Sequence, residues 1–206
     1  MAPPRKEGAA MRRPIKIPVK VILFLLAALL LLACAIGYPK VMRALYPVKY
    51  SEFVSQYSRE YNIDPLLVYA IIKTESNFDP EAVSNAGACG LMQITPETFD
   101  WAKNRMGDTE HTQSDIFDPE TNIRYGVYIF SCHFEEFQNL RLAAAAYHAG
   151  RGNVNRWLSD TQYSPDGESL SVIPISETEN YVYKIVENYA RYSRLYGGDS
   201  AFAYID

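Results

Sequence analysis

Glu75 has the setting that best suits chemistry. It closes a short apolar segment, residues 65–75, in which Val68 and Ile72 are four apart, as are Ile71 and Glu75. Residues four apart share a helix face, so the carboxylate extends an apolar stripe. Asp64 before Pro65 marks where that helix starts, an acceptor side chain at the cap and proline at the first helical position. At the C-terminal end the helix dipole is negative and the apolar neighbours withhold water; both disfavour ionisation and raise a carboxyl pKa. A general acid acting on a poor leaving group needs that. A lone glutamate at a helix end is ordinarily a solvated one, so its surroundings decide the matter.

Those surroundings are specific. E-S-N-F at 75–78 is followed, eight residues on, by Gly87-Ala88-Cys89-Gly90-Leu91-Met92-Gln93. Farther along stand Ala146-Tyr147-His148-Ala149-Gly150 and Glu177-Thr178-Glu179-Asn180-Tyr181-Val182. Three motifs in this order resemble the signature of the lytic transglycosylases with a goose-lysozyme-like catalytic domain, over residues 50–196, and together they are far more specific than any one alone.

The resemblance implies a chemistry run by a single carboxylate, where most glycosidases use two. That Glu donates a proton to the β-1,4 bond between N-acetylmuramic acid and N-acetylglucosamine. It then acts as base while the muramic acid 6-hydroxyl closes onto the anomeric carbon, giving a 1,6-anhydro sugar without consuming water. Carried over, it is Glu75. Ser76 is then expected to orient the glutamate or its helix end. Ser84 and Gln93 would hydrogen-bond sugar groups, and Tyr147 would place its hydroxyl near Glu75 or the N-acetyl group. Glu177 and Tyr181, four apart on one helix face, would line the cleft opposite Glu75.

Two positions depart from the pattern. His148 stands where the family usually has Asn; it keeps a donor and an acceptor but adds bulk and a titratable group. Thr95 stands where many relatives have Met, and reads equally well as a helix cap. The expected partner is the peptidoglycan glycan strand, with no cofactor. On the same fold a hydrolytic lysozyme would need a positioned water and usually a second carboxylate, for which Asp79 and Glu177 are the candidates. A non-catalytic glycan-binding ectodomain is the third alternative.

The elements that must position these groups are mainly helical. Ser51 is expected to cap a helix running to Tyr61, with Phe53, Val54 and Tyr57 as its apolar stripe. Turn-rich sequence at 79–80 and 85–90 follows the Glu75 helix, and Leu91 to Ile94 reads as a very small β element. Thr95-Pro96 opens a helix stopped by Gly107, and a polar loop spans 108–117. Asp118-Pro119 starts a long central helix carrying Ile123, Val127, Phe130, Phe134 and Phe137, with Gly126 marking a close approach by another element. Residues 140–149 form an alanine-rich helix, 153–158 add a turn or two, and 163–171 are loop-like. Ser176 and Glu179 make a capping-box pattern for a last helix, from Glu177 to about Tyr196. The fold class is mainly α, a lysozyme-like multi-helix domain preceded by one N-terminal transmembrane helix.

The basic flank before the apolar segment is expected to stay in the cytoplasm, which would put that domain outside the membrane. Of 20 basic and 24 acidic residues, six bases and one acid lie in residues 1–20, leaving a formal charge of −9 beyond Tyr38. Such a domain repels polyphosphate, so no nucleic-acid partner is expected. Residues 1–20 read as a basic cytoplasmic leader and 21–38 as an uncharged anchor, at the short end of what spans a hydrocarbon core. Residues 39–49 read as a stem, 50–197 as the catalytic domain, extracellular or periplasmic, and 198–206 as a tail. Leu31-Leu32-Ala33-Cys34 also resembles a lipoprotein box, and a cleaved secretory peptide is a further alternative. Cys89 and Cys132 either bridge or serve as small buried apolar residues. The three histidines are scattered, and no Cys/His spacing suggests a metal site.

Overall fold

The computed structural model describes residues 18–197 of two compact units, residues 1–44 and 45–206. The leader up to residue 17 and the tail at 198–206 lie outside the described residues. Helix α1 (Val19–Leu45) makes up the described part of the first unit. Its stretch Leu26–Leu45, 20 residues with none buried, is long and apolar enough to cross a membrane by length and composition. At about 1.5 Å per residue it spans about 30 Å, the thickness of a hydrocarbon core. The helix does not stop at Tyr38: it continues through Pro39 to Leu45, into the stretch expected to be a stem.

The second unit is built of α2 (Ser51–Glu60), α3 (Pro65–Glu75), α4 (Pro96–Met106), a 3-10 turn (Gln113–Phe117), α5 (Pro119–Phe137), α6 (Leu140–Ala149), α7 (Arg151–Leu158) and α8 (Ser176–Tyr196). Three of these helices begin as expected, with an Asp or Thr cap followed by proline. Asp64 accepts from the Leu66 N–H, Thr95 from Thr98 and Asp118 from Thr121. Each such cap contributes about 1 kcal/mol. Asp64 is itself buried and takes a second bond, 2.6 Å from the Tyr189 hydroxyl, which ties the start of α3 to α8.

Helix α6 packs between α5 and α8, and α3 packs along α8. The four alanines Ala143 to Ala146 are buried to within 1% and allow that close approach. Ile123, Val127 and Phe130 of α5 are fully buried, as the four- and three-residue steps require. Gly126 does mark a close approach. A Cβ there would lie 2.7 Å from the Cβ of Met92, whose side chain fills the space instead.

Several local expectations are corrected. Leu91 to Ile94 is not a strand. Among the described residues the β structure comes down to isolated bridges, Val83 with Cys89 and Cys89 with Ile94. Gln93 N–H closes a turn onto the Gly90 carbonyl, and Leu91 and Met92 are fully buried in it. Ser51 is the first helical residue of α2; the cap position belongs to Tyr50, in the left-handed region. No capping box opens α8, because the Ser176 hydroxyl donates to Glu177 instead. The polar stretch 108–117 is ordered by Asp108, which accepts from the Glu110 and His111 N–H groups and pairs with Arg124 of α5 at 3.1 Å. Cys89 and Cys132 are both free thiols.

Candidate active site

The chain leaves α3 at Glu75 through a strained turn. Asn77 and Phe78 both lie in the left-handed region, φ 52° and 66°, a conformation costing about 1–2 kcal/mol per non-glycine residue. Phe78 offsets this by burying its ring to 3% exposure, a transfer favourable by about 2–3 kcal/mol. Ser76 fixes the helix end from the other side. Its hydroxyl donates to the Leu91 carbonyl at 2.8 Å and lies 3.3 Å from that of Ile72. Ser76 thus acts on the helix end, and its hydroxyl makes no bond to the Glu75 carboxyl.

The turn carrying Leu91 and Met92 is also held by a buried side chain. Asn122 of α5 accepts from the Met92 N–H at 2.7 Å and donates to the Cys89 and Ile116 carbonyls at 3.1 and 2.6 Å. Gly90 lies directly against it: φ is +76°, and a Cβ would sit 2.9 Å from the Ile116 carbonyl oxygen. Below the turn, the Tyr147 hydroxyl donates to the Met92 carbonyl at 2.8 Å. Sequence reasoning missed Asn122: it stands beside the apolar stripe of α5, next to Ile123, and no local signal marks it.

These elements wall an open cleft of about 1120 Å³, lined by residues from α3 to α8. Glu75, Ser84, Gln93, Tyr147, His148 and Glu177 all line it. Tyr181 stands behind Glu75, buried, and its hydroxyl donates to Glu75 Oε1 at 2.6 Å. The tyrosine that reaches the carboxyl is therefore Tyr181 of α8, while Tyr147 braces the turn. His148 stacks on the Tyr181 ring, centroids 4.7 Å apart, and its Nδ1 lies 3.0 Å from the Thr178 hydroxyl. Ser84 accepts from the Ala88 N–H and Gln93 donates to the Ala82 and Gly90 carbonyls, so each is anchored in the loop it faces from. Asp79 is exposed, caps the Glu81 N–H and does not line the cleft. Trp101, Glu97, His133 and Arg151, none expected from motifs, also line it.

Electrostatics separate the two carboxylates at Glu75 and Glu177. Burial pushes the Glu75 carboxyl up to about 7, against the Tyr181 hydrogen bond, which pulls it down. Glu177 is pulled down, first by its own backbone N–H and then by the Ser176 hydroxyl, and stays a carboxylate. Burial lowers the His148 pKa, with Glu177 opposing, and burial raises both Tyr147 and Tyr181 well above the ordinary phenol value. At neutral pH the cleft thus offers one carboxyl poised between its two states, next to a neutral phenol. Such a group can give a proton and take one back.

A helical body with a single poised carboxyl facing an open cleft is of the lysozyme-like class. Within that class the chain belongs to the Transglycosylase SLT domain family, whose model matches residues 52–169. It is 32% identical over 159 residues to the soluble lytic murein transglycosylase of Salmonella typhimurium, covering 76% of this chain and 25% of that protein. It is 34% identical over 168 residues to the membrane-bound lytic murein transglycosylase C of Mannheimia succiniciproducens, covering 71% and 47%. Among solved structures, the 70 kDa soluble lytic transglycosylase of Escherichia coli matches with TM-score 0.69 and 29% identity over 76% of this chain and 26% of that one. An inactive Glu-to-Gln mutant of the lytic transglycosylase Slt from Pseudomonas aeruginosa matches with TM-score 0.66 and 29% identity, covering 75% and 25%. The chain therefore spans a quarter to a half of the length of these relatives.

Proposed function

We propose that this chain is a membrane-tethered lytic transglycosylase that cleaves the β-1,4 bond between N-acetylmuramic acid and N-acetylglucosamine in peptidoglycan. The observation that carries this reading is the Glu75 carboxyl, raised to about 7 and hydrogen-bonded by Tyr181, on the wall of an open cleft. Protonated Glu75 gives its proton to the glycosidic oxygen as the bond to the anomeric carbon breaks. The resulting carboxylate takes the proton from the muramic acid 6-hydroxyl as that oxygen bonds to the anomeric carbon. No water enters, and Glu75 ends protonated. Tyr181 holds the carboxyl in place through both steps, and its hydrogen bond stabilises the ionised form between them. Gln93, Ser84, His148 and Glu177 contact the sugars along the cleft, and Tyr147 does its part by fixing the Met92 turn. Relatives named membrane-bound and the apolar helix α1 support tethering, with the catalytic unit on the far side of the membrane from the basic leader.

The experiment is product analysis of digested sacculi together with Glu75→Gln. The wild type is expected to release 1,6-anhydro ends, lighter by one water than hydrolysed ones. The variant keeps the shape of the side chain but cannot carry the proton, so activity is expected to fall by at least about a hundredfold. A hydrated product would assign the hydrolytic reading, with Glu177 as its second carboxylate. A variant of near wild-type activity would remove Glu75 from the chemistry.

A further inference from the structure

Three acids line the cleft, Glu75, Glu97 and Glu177, and among the described residues Arg151 is the only Lys or Arg that does so. Its guanidinium is loosely held. The ion pair to Glu136 is 3.8 Å long, with the two side chains 64% and 32% exposed; a pair so exposed is easily exchanged for another anion. There is room for one. Gly150 and Gly152 flank Arg151 on the cleft wall, and a Cβ at either would meet nothing within 4 Å. His133 lines the same cleft, and its Nδ1 is buried without a hydrogen-bond partner. Burial pulls its pKa down, so it adds no second positive charge.

A lone cation in an acidic cleft acts selectively. A neutral stretch of glycan gains nothing from it, whereas a carboxylate gains a charge-assisted, two-pronged hydrogen bond. We propose that Arg151 is a specificity-determining residue that binds a carboxylate carried by the muramic acid side of the strand. This inference rests on the murein substrate given above. Two sources supply that chemistry: the lactyl carboxylate of a muramic acid without peptide, and a carboxylate of an attached peptide stem.

The test measures binding by the full-length Glu75→Gln protein, whose turnover is expected to be at least about a hundredfold slower, with and without Arg151→Gln. Three probes of equal sugar length are compared: peptide-bearing murein oligomer, peptide-stripped murein oligomer and chitooligosaccharide, which has no carboxylate. Arg151→Gln is expected to weaken binding of a carboxylate-bearing probe by about tenfold or more and to leave chitooligosaccharide unchanged. Arg151→Lys, which keeps the charge and loses the fork, is expected to fall between. Weakening confined to the peptide-bearing probe assigns the stem; weakening confined to the stripped probe assigns the lactyl group. Equal weakening on all three probes, or none on any, overturns the proposal. Wild-type product identity is read separately, so failure of the transglycosylase reading leaves this result standing.

Discussion

At the scale of single residues, the Tyr181 hydroxyl and burial pull Glu75 in opposite directions, and burial wins. The carboxyl titrates at about 7 in the fold against an ordinary 4.5. Because the folded state holds its proton more tightly, the carboxyl favours folding fully below pH 4.5. That contribution is lost as pH rises through 7. Glu75→Gln has no such titration. Its melting temperature relative to wild type is therefore expected to climb between pH 4.5 and 7 and level off above, by the equivalent of roughly 1–3 kcal/mol. A difference that stays flat across that window would refute the raised carboxyl. The raised pKa was legible in the sequence, from an apolar stripe ending in an acid at a helix C-terminus. Its hydroxyl partner was not. Tyr181 and Tyr147 both sit in motif positions, and only the packing of α8 along α3 settles which of them reaches Glu75.

At the scale of elements, two glycines give opposite answers to one substitution. Alanine is better than glycine in a helix by about 1 kcal/mol. At Gly152, in the first turn of α7, a Cβ meets open space, so Gly152→Ala is expected to stabilise by up to about that amount. At Gly126 of α5 a Cβ collides with Met92, so Gly126→Ala is expected to cost about 1–3 kcal/mol, as overpacking does. Urea midpoints of the two variants, shifted in the same direction, would contradict the packing described. The helices with Asp-Pro or Thr-Pro starts could be read from sequence because their caps are local. The failures share a cause in contacts from far along the chain. Leu91 to Ile94 has the composition of a strand, yet Asn122, some 30 residues on, holds it as a turn. The stretch after Gly107 reads as a loose polar loop, yet Arg124 reaches back 16 residues to pin Asp108. Ser176 and Glu179 have the spacing of a capping box, but the serine turns to Glu177.

At the scale of the whole molecule, the chain divides into a unit whose helical stretch Leu26–Leu45 has no buried residues and a unit with a continuous core. The full-length protein is expected to stay with membranes through alkaline extraction, and a variant lacking residues 1–45 to move to the soluble fraction. Recovery of the full chain in the soluble fraction would rule out the anchor. In the second unit, the proposed acid and the hydroxyl that holds it lie 106 positions apart. A ribosome adds about 5–20 residues per second, so Tyr181 is made roughly 5–20 s after Glu75. Until α8 is complete, the carboxyl has no phenol to hold it and no helix to seal it from water. A nascent or truncated chain that stops short of α8 thus carries the proposed acid but not the site, and the reaction proposed for it has no assembled site until synthesis is nearly finished.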